Sequence, residues 1–230
     1  MTTICNKLCD VRARIAAAAR ACGRDPSEIR LLAVSKTFGP EAVEEALACE
    51  QLAFGENYLQ EAAAKMDALV GRAIEWHCIG PIQSNKTRLA AERFDWVHSV
   101  DRLKIAERLS AQRPAGLPPL NICLQVNIDG GESKSGVAPD DVAALARAVA
   151  ALPSLRLRGL MTIPEPAEGF DAQREVHLRA KALFDSLRAG GLPLDTLSMG
   201  MSGDLEAAVS AGSTMVRVGS AIFGGRTARA

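Results

Sequence analysis

Short apolar runs alternate with stretches of helical periodicity along the chain. The opening segment places Ile4, Leu8, Val11 and Ile15 on one stripe, with Lys7, Asp10, Arg12 and Arg14 elsewhere on its surface, which predicts an amphipathic helix. Eight β-rich runs follow, over 31–35, 51–54, 74–79, 96–99, 121–127, 156–161, 196–198 and 214–218. Helical patterns fill the gaps over 40–49, 57–69, 84–92, 101–112, 139–151, 168–189 and 204–211. The longest of them aligns Val176, Ala180, Leu183 and Leu187. The strand runs are apolar throughout instead of strictly alternating, as expected of parallel strands covered on both faces. Eight strand-then-helix units without a long linker predict an α/β fold, a (β/α)8 barrel with an extra N-terminal helix, with 1–230 forming a single domain.

Composition narrows the function classes. The chain has 230 residues, 48% of them hydrophobic, enough for one sizeable core. Lys+Arg and Asp+Glu both number 27, so the net charge is zero and a dedicated nucleic-acid binder is not expected. Cysteines stand at 5, 9, 22, 49, 78 and 123 without a Cys-x-x-Cys pair. That spacing fits no zinc pattern and reads as six reduced thiols, with no metal site. No apolar stretch approaches the roughly 20 residues that span a bilayer, and the N-terminus lacks a signal-peptide apolar run. The expectation is a soluble, cytoplasmic, monomeric protein without a membrane partner.

In a barrel of this kind chemistry sits at the C-terminal ends of the strands. Lys36 closes the first strand, and a period of two puts it on the face of Leu32 and Val34. Facing inward, its amine would be desolvated and nucleophilic, able to form an imine with an aldehyde. The other reading is a strand-end lysine that snorkels to solvent. Ser198-Met199-Gly200-Met201-Ser202-Gly203-Asp204 leaves the seventh strand and enters a helix. Its small residues suit close approach of an anion to backbone N–H groups, and Ser202 adds a hydroxyl. An ordinary capped helix start fits the same residues. Arg217 lies within the eighth strand, on the side of Met215 and Gly219, and an always-charged side chain there needs a partner. Gly219 and Ser220 open a second small-residue turn, and barrels often bind phosphate after strands seven and eight. His77, His177, Trp76 and Trp96 read as packing or surface residues, while His98 ends the fourth strand at the active-site face.

Several of these segments together resemble the pyridoxal phosphate homeostasis protein family. They are Val34–Thr37, Phe54–Tyr58, Trp76–Lys86, Asn127–Asp129 with Lys134–Gly136, Gly159–Pro164, Ser198–Ser202 and Arg217–Gly219, in matching order from about residue 5 to 226. The resemblance implies the barrel of the alanine racemase N-terminal domain and pyridoxal 5′-phosphate as cofactor. It implies Lys36 as the Schiff-base lysine and Ser202, Gly219 and Ser220 as phosphate-cup positions. Arg217 would face the pyridine nitrogen. Asn57 and Asn85 would line the pocket, Lys134 would lie near the cofactor, and Met161 and Thr162 would stand against the ring or its edge.

A carboxylate beside the ring nitrogen would keep it protonated and strengthen the electron sink; Arg217, in the position the resemblance implies, would do the opposite. Two-base racemisation also needs a second base, which related racemases supply from a second, β-rich domain. This sequence ends at Ala230, soon after the eighth strand, and Tyr58 is its only tyrosine. The expectation is a cofactor carrier with little or no catalysis, delivering to apo pyridoxal-phosphate enzymes. A residual racemase or lyase, a cofactor-free Schiff-base aldolase and an interaction scaffold are the alternatives.

Overall fold

The computed structural model describes residues 3–131 and 135–225. Eight parallel strands close into a barrel in chain order. They are β1 (Arg30–Val34), β2 (Ala53–Glu56), β3 (Glu75–Cys78), β4 (Trp96–Val100), β5 (Leu120–Val126), β6 (Leu155–Thr162), β7 (Thr196–Ser198) and β8 (Met215–Val218). β8 returns to β1 with Arg217 opposite Leu32. Around them lie α1 (Ile4–Ala21), α2 (Pro40–Leu47), α3 (Leu59–Ala68), α4 (Thr87–Arg93), α5 (Leu103–Gln112), α6 (Val142–Ala150), α7 (Phe170–Ala189), α8 (Leu205–Ser210) and the one-turn α9 (Ser220–Phe223).

The alternation of side chains along each strand divides the core in two. Outward-facing residues such as Ala33, Phe54, Val97, Ile122, Leu160 and Val216 merge with the inner stripes of the helices into one large cluster. Inside the barrel, Leu32, Val34, Ala53, Ile79 and Met215 pack on one side, and Trp96, Cys123 and Met161 on the other. Helix starts follow local rules: Thr3 caps α1 through the Asn6 N–H, and Pro40 opens α2.

The eight expected strands are all present, with shifted edges. β2 begins at Ala53 instead of residue 51 because the Gln51 amide donates to the carbonyls of Leu31 and Ala53, at 3.1 and 2.8 Å, and Leu52 turns outward. The helix expected from residue 84 opens with a tight 3-10 turn, Ser84–Lys86, before α4. β6 carries an irregularity, since Ile122 pairs with Leu157 but Cys123 with Gly159. A Cβ at Gly159 would run into the Thr196 carbonyl oxygen and press on the Phe184 ring, so only glycine passes there.

The cysteines depart from expectation. Packing of α1 on α2 brings Cys5 and Cys49 to a Cα separation of 5.6 Å, and the two form a disulfide. Cys9, Cys22, Cys78 and Cys123 are free thiols, and burial pushes the Cys78 thiol up to about 12. Among the described residues no group of three or more His, Cys, Asp or Glu could hold a metal ion. No described helix is long and apolar enough to cross a membrane.

The Gly159→Ala variant is expected to lose about 2 kcal/mol or more in urea unfolding, because backbone must move. Gly116→Ala, whose Cβ would meet nothing within 4 Å, should stay within about 0.5 kcal/mol of the parent in the same assay.

Candidate functional site

The C-terminal ends of the strands open onto a cavity of about 460 Å³, a size typical of small-molecule sites. Its wall is built from Val34, Lys36 and Phe38 after β1, Asn57 after β2, Ile79 after β3 and Ile163 after β6. Met201, Ser202 and Gly203 follow from the loop after β7, and Arg217, Gly219 and Ser220 from the end of β8.

Lys36 is half-buried in this wall and is held by its neighbours on both sides. Lys65 of α3 donates to the Ser35 carbonyl at 2.8 Å, and Glu61 of α3 accepts from the Thr37 N–H at 2.6 Å. Glu61 and Lys65 pair with each other at 2.9 Å, one helical turn apart. Behind them Glu56 takes bonds from Lys65 at 2.8 Å and from the Ser35 hydroxyl at 2.6 Å. Glu56 is fully buried, and desolvation raises its pKa against the pull of Lys65 and Ser35. The grip is needed because Thr37 sits at φ 69°, a left-handed conformation unfavourable for a β-branched residue.

Two small-residue turns face Lys36. Gly200 has φ 92°, and a Cβ there would collide with Ala208. The Met201 N–H donates to Asp204 at 2.6 Å, and His177 of α7 bonds the other Asp204 oxygen at 2.9 Å. Burial alone would raise the Asp204 pKa; the bonds from His177 and Met201 outweigh it and hold the carboxyl below the usual range. Arg14 of α1 reaches across to the Ser202 carbonyl at 3.2 Å and to Glu206 at 2.9 Å. The N–H groups of Ser202 and Gly203 meet no acceptor among the described residues. Ser220, on the second turn, brings its hydroxyl to 3.3 Å from that of Ser202. A Cβ on Gly219 would stand 3.1 Å from the Val34 carbonyl oxygen, so the second turn lies directly against the end of β1.

Arg217 forms the floor and is 4% exposed. Its Nη1 donates to the Ser198 carbonyl and hydroxyl, at 2.7 and 2.8 Å, and its Nη2 to the Thr162 carbonyl at 2.8 Å. All three acceptors are neutral, and burial pushes the guanidinium down to about 10. Beneath it, Ser198 Oγ lies 3.1 Å from His98 Nδ1, and His98 Nε2 lies 2.9 Å from His77 Nδ1. His77 Nε2 meets Glu75 at 2.5 Å, and Arg30 pairs with the same carboxylate at 2.7 Å. Desolvation pushes His77 down to about 4 and His98 well below its ordinary value. Desolvation would raise Glu75, but His77 and Arg30 together hold it at about 2.

The structure thus brings together Lys36, Asn57, Ser202, Arg217, Gly219 and Ser220. Asn85 is exposed within the Ser84–Lys86 turn and lines no part of this cavity. Met161 is fully buried one layer below, packed with Trp96 and Cys123, and Ile163, two residues on along the same face, takes the wall position. Thr162 gives only its carbonyl, to Arg217. Lys134 lies outside the described residues. Tyr58 is exposed and lines a neighbouring cavity of about 490 Å³. Sequence reasoning did not find the supports Arg14, Glu61, Lys65 and His177. A charged residue on the apolar face of α3, Lys65 beside Ala62 and Met66, was the one signal available.

Residues 7–227 match the family described as alanine racemase, N-terminal domain. The pyridoxal phosphate homeostasis protein of Pseudomonas aeruginosa is 60% identical over 226 residues, covering 98% of this chain and 97% of that protein. Its namesake in Escherichia coli is 53% identical over 229 residues, covering 98% of both. The chain belongs to the pyridoxal phosphate homeostasis protein family. Among solved structures, PipY of Synechococcus elongatus with PLP bound is similar to this family member with a TM-score of 0.84 and 36% identity, over 96% of this chain and all of that one. Alanine racemase of Corynebacterium glutamicum matches at a TM-score of 0.66 and 19% identity, over 93% of this chain and 59% of that enzyme, a likeness of fold alone.

Two uncharged imidazoles in the core of this family member have a consequence for acid stability. An unfolded histidine takes up a proton below about 6.5, but His77 resists protonation in the fold until about pH 4. The unfolded state therefore binds more protons in that window, and stability falls as pH drops from 6.5 to 4, by about 3 kcal/mol for His77. Urea unfolding at pH 7 and pH 5 should show about 2 kcal/mol of this loss, and His77→Gln should flatten it.

Proposed function

We propose that this chain binds pyridoxal 5′-phosphate, with Lys36 holding its aldehyde as a Schiff base, and acts in intracellular PLP homeostasis as a carrier with little or no catalysis. The observation that carries this reading is one cavity in which a lysine amine, two small-residue turns with facing serine hydroxyls and a buried arginine meet. The phosphate fits the turns: Ser202 and Gly203 offer amides that meet no acceptor among the described residues, and the space beside Gly203 is open, since a Cβ built there would meet nothing within 4 Å. The ring fits above Arg217, whose Nε and remaining Nη2 hydrogen are left to a neutral acceptor such as the pyridine nitrogen.

The same arginine argues for holding over turnover. The bound cofactor supplies an electron sink when its ring nitrogen is protonated. Arg217 donates there and does not give up its proton, so it disfavours that state. The one tyrosine, Tyr58, lines the adjoining cavity and not the wall around Lys36, which also favours holding over two-base turnover. The relatives' shared name, pyridoxal phosphate homeostasis protein, supports the same role. In this reading the chain is a single-domain, cytoplasmic monomer that delivers to apo pyridoxal-phosphate enzymes.

Incubation with pyridoxal 5′-phosphate is expected to give an imine absorbance band that borohydride fixes to one lysine. Lys36→Ala should lose the band; its persistence would place the attachment elsewhere. Loaded protein mixed with an apo enzyme should restore activity faster than an equal amount of free cofactor, and equal rates would refute carriage.

A further inference from the structure

The interior of this barrel contains two fully buried imidazoles that the cofactor reading leaves unused. His77 and His98 neither line the cavity nor reach solvent. Apolar side chains would fill the same space without any need for partners. Instead an unbroken series of contacts runs from Glu75, at the start of β3, to Arg217 on the cavity floor.

The series has only one consistent arrangement of protons. The Glu75 carboxylate accepts from Arg30, and so it also accepts from His77 Nε2 at 2.5 Å. A neutral His77 with its proton on Nε2 presents Nδ1 as an acceptor. His98 must then donate from Nε2 across 2.9 Å, which makes His98 Nδ1 an acceptor in turn. The Ser198 hydroxyl fills that position at 3.1 Å by donating, and its lone pairs remain for Arg217 Nη1 at 2.8 Å. Every bond points the same way, from guanidinium to carboxylate.

We propose that His98 and His77 are positioning residues for Arg217, locking Ser198 as its acceptor and so fixing which N–H groups the guanidinium presents to the cavity. Without the lock the serine hydroxyl is free to turn its hydrogen toward the arginine, and the planar group loses one of its three anchors. The charged groups nearest the two rings are Glu75, Arg30 and Arg217; Trp96 stacks on His77 with ring centroids 5.2 Å apart. This proposal rests on the pyridoxal-phosphate reading for what Arg217 faces, but the proton arrangement does not.

The arrangement is tested first on protein without cofactor. The chain has three histidines, so ring nitrogen signals in 15N-labelled protein are readily assigned with His77→Gln and His98→Gln. Both buried rings are expected to be neutral with the proton on Nε2, unchanged between pH 5.5 and 9. A proton on His98 Nδ1, or titration of either ring in that range, overturns the proposal whether or not the cofactor binds.

The second arm measures ligand binding. His98→Leu is expected to weaken pyridoxal 5′-phosphate roughly tenfold and shift its absorbance band, while inorganic phosphate binds as in the parent. His98→Gln, which keeps a donor and an acceptor, should recover most of the loss. Unchanged cofactor affinity and spectrum in His98→Leu, or equal weakening of both ligands, refutes the positioning role. Failure of the parent chain to bind the cofactor at all would refute the proposed function and leave the nitrogen spectra to decide the proton arrangement.

Discussion

The ion pair between Lys65 and Glu56, buried behind β1 and β2, is the contact on which the site depends. It is expensive to desolvate both charges, and such a pair adds little stability beyond what apolar residues would give. Its value here is geometric. Lys65 donates to Glu56 and to the Ser35 carbonyl and pairs with Glu61, while Glu61 takes the Thr37 N–H. The residue between Ser35 and Thr37 is Lys36. Its backbone is therefore fastened on each side by a single helix turn.

Around that fixed lysine the barrel supplies three environments from three different directions. The loop after β7 contributes the amides of Ser202 and Gly203, which meet no acceptor among the described residues, braced from behind by His177 and Asp204. β8 contributes a desolvated guanidinium anchored to neutral oxygens. Between them Gly219 lies close enough to the end of β1 that the second turn and Lys36 belong to one surface. Charge is thereby separated: cationic groups face the cavity, and the carboxylates that stabilise them sit behind or below.

Much of this was legible in the chain itself. A strand's period of two is enough to aim Arg217 and Gly219 along β8 and suggests the direction of Lys36 just past β1, while Ser202 and Ser220 were marked by the small-residue turns that follow β7 and β8. Asn85 was misplaced because the 3-10 turn at Ser84–Lys86 precedes α4 and carries it outward. Met161 fell one layer too low because β6 runs on to Thr162, which lifts Ile163 into the wall. The His77–His98–Ser198 contacts depend on which side chains meet across the barrel interior, and that is set by register among strands far apart in sequence. The pairing of Cys5 with Cys49 has the same origin, in the way two helices dock.

Arg14 gives the N-terminal helix a significance that the eightfold repeat would not suggest. α1 precedes the strand-and-helix units and packs its buried Leu8, Val11 and Ile15 against the barrel's outer core beside α8, α9 and α2, and its Arg14 side chain crosses to the carbonyl of Ser202 and to Glu206. A shortened chain beginning at β1 would still contain every strand needed to close. It would lack the strut behind the anion-facing loop, and that loop would have to find its shape unaided. The helix is a buttress, stapled to the chain just beyond α2 through Cys5 and Cys49, whose far side steadies the place where a negatively charged guest would rest.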